Sequence, residues 1–224
     1  MLQAILKNTR NTSSRIEALA DELGAPLKNI SAEIEQLTKE NLVQVGKEGV
    51  VETTPRQRLK MSFDIIKSGG DVEKVCRYLT WQEFEDASAQ ILDESGYRVL
   101  HRYRFRSEGR RWEIDLLAFK KPMILCFDCK HWRGGGKRSA LMKAIEAQAK
   151  RVEAFAQSAK VNRIKLGLSD WNKATLLPVM IVLLDLPLIH GGVPSVPVFR
   201  LGDFLYELPA ALDSLSSVRL SLNE

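Results

Sequence analysis

The 224-residue chain has little cysteine and no long apolar run. Its three cysteines cannot build the disulfide framework of a small secreted protein, which favours a reducing compartment. The longest apolar run, 176–184 with Pro178 inside it, is far shorter than the roughly 20 residues that a membrane-spanning helix needs. The opening stretch MLQAILKNTR lacks the extended apolar segment of a secretion signal. We therefore expect a soluble, cytoplasmic protein.

Cys126 and Cys129 form a C-x-x-C pair, and the sequence contains no second pair. A structural zinc site needs four ligands that converge on one point. Side chains three positions apart on a β-strand point to opposite faces of the sheet, so these two thiols would not converge. We interpret both cysteines as buried core residues.

Positive charge is concentrated in one part of the chain. The whole sequence has a net charge of +5, yet residues 97–151 alone carry nine Arg and six Lys against three Glu and two Asp. The remainder is therefore acidic on balance. Such a concentration is typical of a surface that meets a polyanion such as nucleic acid. The alternative is an ordinary solvated basic surface.

The most informative stretch is 111–132, RWEIDLLAFKKPMILCFDCKHW. Its apolar composition predicts two β-strands joined by a tight turn at 120–122. A charge buried without a partner costs free energy, so the acidic residues in these strands need an explanation. Pairing as a hairpin would bring Asp115 beside Asp128, with Lys130 on the same face as Asp128. Two carboxylates of this kind suit Mg²⁺, which can polarise a phosphodiester. The alternative is a salt bridge between Asp128 and Lys130 at a sheet edge.

These residues carry a family resemblance. Ile114-Asp115, twelve residues and then Asp128-Cys129-Lys130 resembles the PD-(D/E)xK nuclease signature, which includes restriction endonucleases, Mrr-type enzymes and archaeal Holliday-junction resolvases. The resemblance extends upstream to the Phe84-Glu85 pair on a predicted helix and downstream to Gln148, and it covers about 80–186. Ile114 stands where the family has proline, and Asp128 stands where glutamate is more usual.

The resemblance implies an α/β fold, with a restriction-endonuclease-like mixed central sheet flanked by helices. It also implies a metal-dependent DNA endonuclease that uses Mg²⁺ or Mn²⁺, and a homodimer, because cutting both strands usually needs two sites. Asp115, Asp128 and Glu85 would hold the metal. Lys130 would position the attacking water, and Gln148 would orient Lys130 or a phosphate. For Glu113, contact with solvent is as consistent with the sequence as metal binding.

Several basic residues near this region are candidate DNA contacts. The predicted strand Tyr97–Arg106 carries Arg98, Arg102, Arg104 and Arg106 in a pattern that suggests one basic face. A glycine-rich loop at 134–136 follows the second strand and has basic residues on both sides. The candidates in and around the catalytic domain are Arg102, Arg104, Arg106, Arg111, Arg133, Lys137 and Arg138.

Residues 1–55 are interpreted as a winged helix-turn-helix domain, followed by a helical linker at 56–79 and the nuclease-like domain at 80–224. The third predicted helix would enter the major groove, with Lys28 and Asn29 as candidate contacts. This segment is nearly neutral, so docking of a protein partner stays open. A second hypothesis for the whole chain is a non-catalytic DNA-binding or protein-interaction module that uses a nuclease-like fold.

Overall fold

A computed structural model of the chain describes residues 1–10, 13–130, 138–182 and 188–222. The chain divides into two compact units, 1–84 and 85–224. In the described ranges no helix has both the length and the apolar character needed to cross a membrane.

The N-terminal unit combines helices with a small antiparallel sheet in the order β1-β3-β2. In chain order its elements are α1 (Leu2–Asn8), β1 (Ser14–Arg15), α2 (Ile16–Leu23), α3 (Leu27–Lys39), β2 (Gln44–Val45), β3 (Val50–Glu52), α4 (Pro55–Lys67) and α5 (Val72–Tyr78). Helical spacing places Ile30, Ile34 and Leu37 on the buried side of α3. Gly24 ends α2 in the left-handed conformation that glycine adopts without strain. Thr54 caps α4 through a capping box with Gln57.

A buried arginine lies at the centre of the contacts between these helices. Arg58 on α4 is 2% exposed and pairs with Glu83 at an Nε–Oε1 distance of 2.7 Å. Its other guanidinium nitrogens donate to the Leu6 carbonyl at 2.8 Å, to Thr9 Oγ1 at 2.9 Å and to the Tyr78 carbonyl at 2.6 Å. One side chain therefore links α1, α4, α5 and the first turn of the following helix.

The C-terminal unit is a mixed sheet flanked by helices, which confirms the predicted α/β class. The elements are α6 (Trp81–Glu94, whose start lies in the N-terminal unit), β4 (Arg98–Ser107), β5 (Arg110–Lys120), β6 (Met123–Lys130), α7 (Arg138–Val161), β7 (Lys173–Val182), β8 (Leu188–His190), β9 (Val193–Pro197), α8 (Leu201–Ala211) and β10 (Val218–Ser221). The strands run in the order β4-β5-β6-β7-β9-β8, and β10 also pairs with β7. β6, β7 and β9 are mutually parallel, while β4, β5 and β6 form an antiparallel meander.

Helix α7 covers one face of this sheet. Its second half contributes Val152 and Phe155 to a core cluster that also contains Ile114 and Leu117 of β5. Its first half packs Leu141 and Ile145 against β7 and β9. The sequence of α7 has apolar residues at helical spacing along this side, which is why the helix lies flat on the sheet. The residues of the candidate site lie at the β5–β6 pair beneath it.

Candidate active site

Asp115 and Asp128 lie where β5 and β6 stop pairing. The antiparallel ladder runs from Lys120 opposite Met123 to Leu116 opposite Phe127. The next positions in that register are Asp115 and Asp128. Beyond this point β6 continues beside β7, as far as Lys130 opposite Val182. In place of a ladder bond, the Cys129 amide N–H donates to Asp115 Oδ2 at 2.7 Å.

Asp128 is 3% exposed and faces two cations. Its Oδ2 lies 2.6 Å from Lys130 Nζ, and its Oδ1 lies 2.8 Å from Arg151 Nη1. Both cationic side chains are themselves more than two-thirds buried, at 28% and 21% exposed. Asp128 is therefore a buried carboxyl group with two cationic partners within the fold, as a buried charged group requires.

Asp115 has a more unusual environment. Burial raises its pKa to about 6, and the negative charges of Asp128 and Glu85 act in the same direction. The Cys129 N–H and the positive charge of Lys130 act in the opposite direction without cancelling the rise. Burial of the carboxyl, more than the charge of its neighbours, is therefore what distinguishes Asp115. A perturbed carboxyl among other charged groups is a common mark of a functional site.

Glu85 on α6 is the third acidic group. It is 3% exposed, and its Oε2 accepts from Arg102 Nη2 at 3.0 Å and from Arg102 Nε at 3.2 Å. Its influence on the pKa of Asp115 places it in the same charge cluster. The neighbouring acid on this helix, Glu83, belongs to the N-terminal unit, where it binds Arg58 and caps the helix through Thr80.

Arg102 has a backbone conformation that side chains rarely adopt. Its φ is +48°, and the β4–β5 ladder pairs His101 with Leu116 and Tyr103 with Ile114 but omits the position between them. Asp115 is the residue opposite Arg102 in this register. Strained backbone of this kind persists only where the surrounding contacts fix it. Here the contact is the ion pair with Glu85.

Gln148 and Arg151 link α7 to the site. Gln148 is fully buried, and its Nε2 donates to the Cys126 carbonyl of β6 at 2.7 Å. Its Oε1 accepts a short hydrogen bond from Arg151 Nη1, the nitrogen that also binds Asp128. Gln148 thus contacts neither Lys130 nor any surface where a phosphate would lie, in contrast to the role expected for it. It positions Arg151.

The sequence indicates Arg151 as a residue of this helix that could line the DNA groove, but it did not predict a contact with Asp128. The signal was present, because Arg151 stands three residues after Gln148 and so shares its helical face. An arginine at that spacing reaches the same sheet position as the glutamine. Its contact with Asp128 makes it the second cation of the site, beside Lys130.

The expected basic face of β4 is wrong in part. On β4, Leu100 and Tyr103 pack on the same core cluster, and so do Ile114 and Leu117 on β5. The residues of each pair are three positions apart, whereas side chains on one face of a regular strand are two apart. The alternation of side chains between the two faces therefore shifts by one position in both strands. As a result Arg98 packs over the Phe119 ring at 4.2 Å and donates to the Leu166 carbonyl. Arg102 is held by Glu85.

Glu113, whose role the sequence left open, pairs with Arg104. The distance from Arg104 Nε to Glu113 Oε2 is 2.7 Å, and the arginine is largely exposed. Arg106 and Arg111 are exposed near the tip of the β4–β5 hairpin. Lys28 and Asn29 are exposed in the first turn of α3, in the N-terminal unit. Arg133 and Lys137 lie outside the described residues, as does the side chain of Arg138 at the start of α7.

The donor set can be tested against a divalent metal. Among the residues that the structure describes, no three His, Cys, Asp or Glu side chains are arranged, as they stand, to hold an ion. The carboxylates of Asp128 and Glu85 face Lys130, Arg151 and Arg102 instead. The donors are nonetheless carboxylate oxygens, the kind of ligand that Mg²⁺ or Mn²⁺ prefers. To hold such an ion, Asp128 would have to exchange its contact with the Lys130 ammonium for the metal.

Comparison with known proteins supports a nuclease-related fold. Residues 80–168 match the model of the nuclease-related domain family, a nuclease-like domain of the restriction-endonuclease-like superfamily. An uncharacterized protein from Archaeoglobus fulgidus is 30% identical over 132 residues, which are 58% of this chain and 92% of that protein.

Two crystal structures show weaker similarity. One is of AF1548, a protein of unknown function, with 15% identity, a TM-score of 0.29 and coverage of 44% of this chain and 46% of that one. The other is of protein VC1899 from Vibrio cholerae, with 13% identity, a TM-score of 0.38 and coverage of 95% and 50%. This chain thus spans about half the length of either solved protein. The domain match and the archaeal relative together identify the chain as a member of the family of proteins that carry the nuclease-related domain.

Proposed function

We propose that the protein is a metal-dependent DNA endonuclease that hydrolyses phosphodiester bonds. The observation that supports this most strongly is the convergence of Asp115, Asp128 and Lys130 where β5 and β6 separate. Two buried carboxylates and an ammonium at one point are costly for the fold to maintain. Hydrolysis of a phosphodiester would use all three of these groups.

Asp115 and Asp128 would hold Mg²⁺ or Mn²⁺, and Glu85 would act as a further ligand, directly or through water. The ion supplies Lewis-acid polarisation of the phosphodiester. Lys130, released from Asp128, would orient the attacking water with its ammonium N–H groups. Arg151 would stay on Asp128 Oδ1 and add positive charge where the phosphate becomes more negative. Gln148 would keep Arg151 in place from beneath.

DNA is the proposed substrate because positive charge gathers around this unit. Residues 97–151 include nine Arg and six Lys, whereas the rest of the chain is acidic on balance. Arg106 and Arg111 on the β4–β5 hairpin are exposed and available to phosphates, whereas the exposed Arg104 pairs with Glu113. A homodimer would place two such sites on the two strands of a duplex. We include in this proposal that the protein resembles Mrr-type enzymes and junction resolvases within the superfamily.

The N-terminal unit is proposed to be a winged helix. Its order of helix, strand, helix, helix, strand, strand supports this interpretation. Lys28 and Asn29 are its candidate DNA contacts, but Glu33 and Glu35 are also exposed on α3. A helix without net positive charge is poorly suited to phosphates, so we propose a protein partner as the first occupant of this face.

A titration with Mn²⁺ on the full chain tests the metal site. We expect binding in the wild type that is lost in Asp115→Asn and in Asp128→Asn. Asp170→Asn is the matched control, because Asp170 is a highly exposed carboxylate paired with Lys121. No binding, or binding that the two site variants leave unchanged, would favour the non-catalytic module. That alternative is supported by the pairing of Asp128 and Glu85 with side-chain cations.

A panel of labelled DNA molecules tests the substrate class. Linear duplex, single strand, flap and four-way junction would be incubated with the protein and Mg²⁺ or Mn²⁺. Preference for the junction would indicate a resolving role, and cutting of intact duplex a restriction-like role. Preference for flaps would indicate repair.

A further inference from the structure

A groove of about 740 Å³ opens beside the β4–β5 hairpin and the last turn of α7. The proposed chemistry of Asp115, Asp128 and Lys130 uses none of the residues that line it. We call it the hairpin groove, and the residues used in the argument are Tyr103, Phe105, Arg106, Arg111, Trp112 and Lys165.

The charge of the hairpin groove is positive. Arg106, Arg111 and Lys165 are exposed, and no ion pair is recorded for them within the described residues. A further lining cation, Arg104, is neutralised by Glu113, the one acidic residue that lines the groove in the described part of the chain. A concave surface with such a balance attracts an anion, and basic groups along its length suit a chain of phosphates.

The groove is also aromatic. The rings of Phe105 and Trp112 are stacked with an interplanar angle of 12° and a centroid distance of 6.5 Å. Tyr103 lies against Phe105 at 6.2 Å with an angle of 22°. Arg110 covers the other side of Trp112, with its guanidinium carbon 4.1 Å from the ring centroid. Phe105 is buried in the core cluster, so the half-buried rings of Tyr103 and Trp112 are the ones that a ligand in the groove could contact. Aromatic rings next to arginines are the elements from which sites for unpaired bases are built.

One polar atom of this wall has no partner. Trp112 Nε1 is buried and makes no hydrogen bond with the described residues. A buried N–H without an acceptor costs free energy, so such groups are nearly always satisfied in native proteins. Because this atom is buried, a base or phosphate oxygen in the hairpin groove could supply the acceptor only after a shift of the Trp112 ring.

We propose that the hairpin groove binds an unpaired segment of a DNA strand. Its phosphates would lie on Arg106, Arg111 and Lys165, and its bases against the aromatic wall. A duplex keeps its bases stacked inside and offers only its convex backbone, which a concave aromatic groove cannot use. This inference rests on the proposed action on DNA, and it specifies that the substrate carries a tail, flap or gap beside the cleaved bond.

The test is binding of a labelled oligothymidylate to the full chain in EDTA, so that no cutting occurs. A blunt duplex of equal length and an abasic oligomer serve as competitors. We expect the single strand to bind about tenfold more tightly than either competitor. Equal or tighter binding of the duplex would overturn the proposal, and so would equal binding of the abasic oligomer.

Substitutions in the hairpin groove test whether the single strand binds there. Arg111→Gln and Lys165→Gln should each weaken single-strand binding about threefold to tenfold. Trp112→Phe, which keeps the ring stack and removes the N–H, should also weaken it. Arg219→Gln on β10 is the control, because it removes an exposed arginine outside the groove. Unchanged affinity in all three groove variants, with unfolding curves like that of the wild type, would overturn the assignment.

The result can be separated from the nuclease proposal. Single-strand binding is measured in EDTA, so it is scored whether or not the wild type cuts DNA. Loss of binding in the groove variants without any cutting would support the groove alone. Cutting without preference for the single strand would support the nuclease and reject the groove.

Discussion

At the scale of single residues, Asp115 has the best-defined physical behaviour. Its pKa rises to about 6 from the ordinary value of 3.8, mainly because the carboxyl is buried. Between about pH 4 and pH 6, the Asp115 carboxyl therefore keeps a proton in the folded state that it has released in the unfolded chain. Stability from this group is fully present below about pH 4 and is lost as the pH rises towards 6.

The first prediction concerns this pH dependence. In EDTA, the free energy of unfolding of the wild type should fall by about 2–3 kcal/mol, relative to that of Asp115→Asn, when the pH is raised from about 4 to about 7.5. The variant escapes this loss because asparagine cannot ionise. Urea unfolding at both pH values measures it. Asp170→Asn, which changes an exposed carboxylate, should show the same loss as the wild type. Parallel curves for the wild type and Asp115→Asn would contradict the account.

The second prediction concerns Arg151. Replacing it with glutamine leaves Asp128 with Lys130 alone and should lower the free energy of unfolding by about 1–2 kcal/mol. Mn²⁺ should then stabilise the variant more than the wild type, because the ion supplies the missing positive charge. Thermal unfolding with and without Mn²⁺ measures both effects. Lys150→Gln is the matched control, since Lys150 is the exposed neighbour on α7. If Mn²⁺ stabilises the variant no more than it stabilises the wild type, this role of Arg151 is contradicted.

Much of the site was predictable from residue types and spacing. The hairpin pattern placed Asp115 next to Asp128 and put Lys130 on the side of Asp128, and the structure has this arrangement. The function of Gln148 was not predictable in the same way. Sequence indicates that a helical glutamine can face the sheet, but only packing decides that its amide reaches the Cys126 carbonyl.

At the scale of elements, the site depends on how α7 is fixed to β6. Gln148 is one of the contacts between them, and its side chain bonds both the β6 backbone and Arg151, which itself binds Asp128 of β6. The face of the sheet to which each β4 arginine points depends on another local feature. Next to Arg102, the alternation of side chains between the two faces shifts by one position. A two-residue period cannot reveal such a shift, because it arises from pairing between strands and from the ion pair with Glu85. Sequence therefore assigned Arg98 to the wrong face.

The third prediction tests the attachment of α7. Gln148→Leu keeps a similar volume but removes the hydrogen bond to Cys126, and it should cost about 1–3 kcal/mol of stability. Any cleavage rate should fall as well, since Arg151 loses its support. Urea unfolding and cleavage assays on the same preparations measure the two effects. Gln157→Leu, at an exposed position of α7, should change neither. Equal effects of the two substitutions would contradict the role of Gln148.

At the scale of the whole molecule, two units of different charge are joined in one chain. The division at residue 84 falls inside α6 rather than in a loop, which sequence composition did not indicate. The ion pairs of this helix follow the same division, since Glu83 bonds Arg58 of the N-terminal unit and Glu85 bonds Arg102 of the C-terminal unit. The N-terminal unit has 12 basic and 12 acidic residues, whereas the C-terminal unit has 21 basic and 16 acidic residues, so DNA affinity should depend mainly on the C-terminal unit.

The fourth prediction compares one charge reversal in each unit. Arg111→Glu should lower the affinity for DNA about tenfold, because it turns a phosphate contact into a repulsion. Lys28→Glu should change the affinity less than about twofold, since α3 already exposes acidic side chains. Binding at two salt concentrations measures both. A larger loss in Lys28→Glu would show that the N-terminal unit contacts DNA.

The central claim is that the carboxylates and Lys130 at the end of the β5–β6 ladder hydrolyse DNA with a divalent metal. The rate of cleavage of a labelled DNA panel in Mg²⁺ or Mn²⁺ tests it most directly. We expect cleavage by the wild type, by Asp170→Asn and by Lys121→Gln. Asp128→Asn and Lys130→Gln should be slower by a factor of about 100 or more. No cleavage of any substrate by the wild type, or equal rates in the site variants and their controls, would contradict the account.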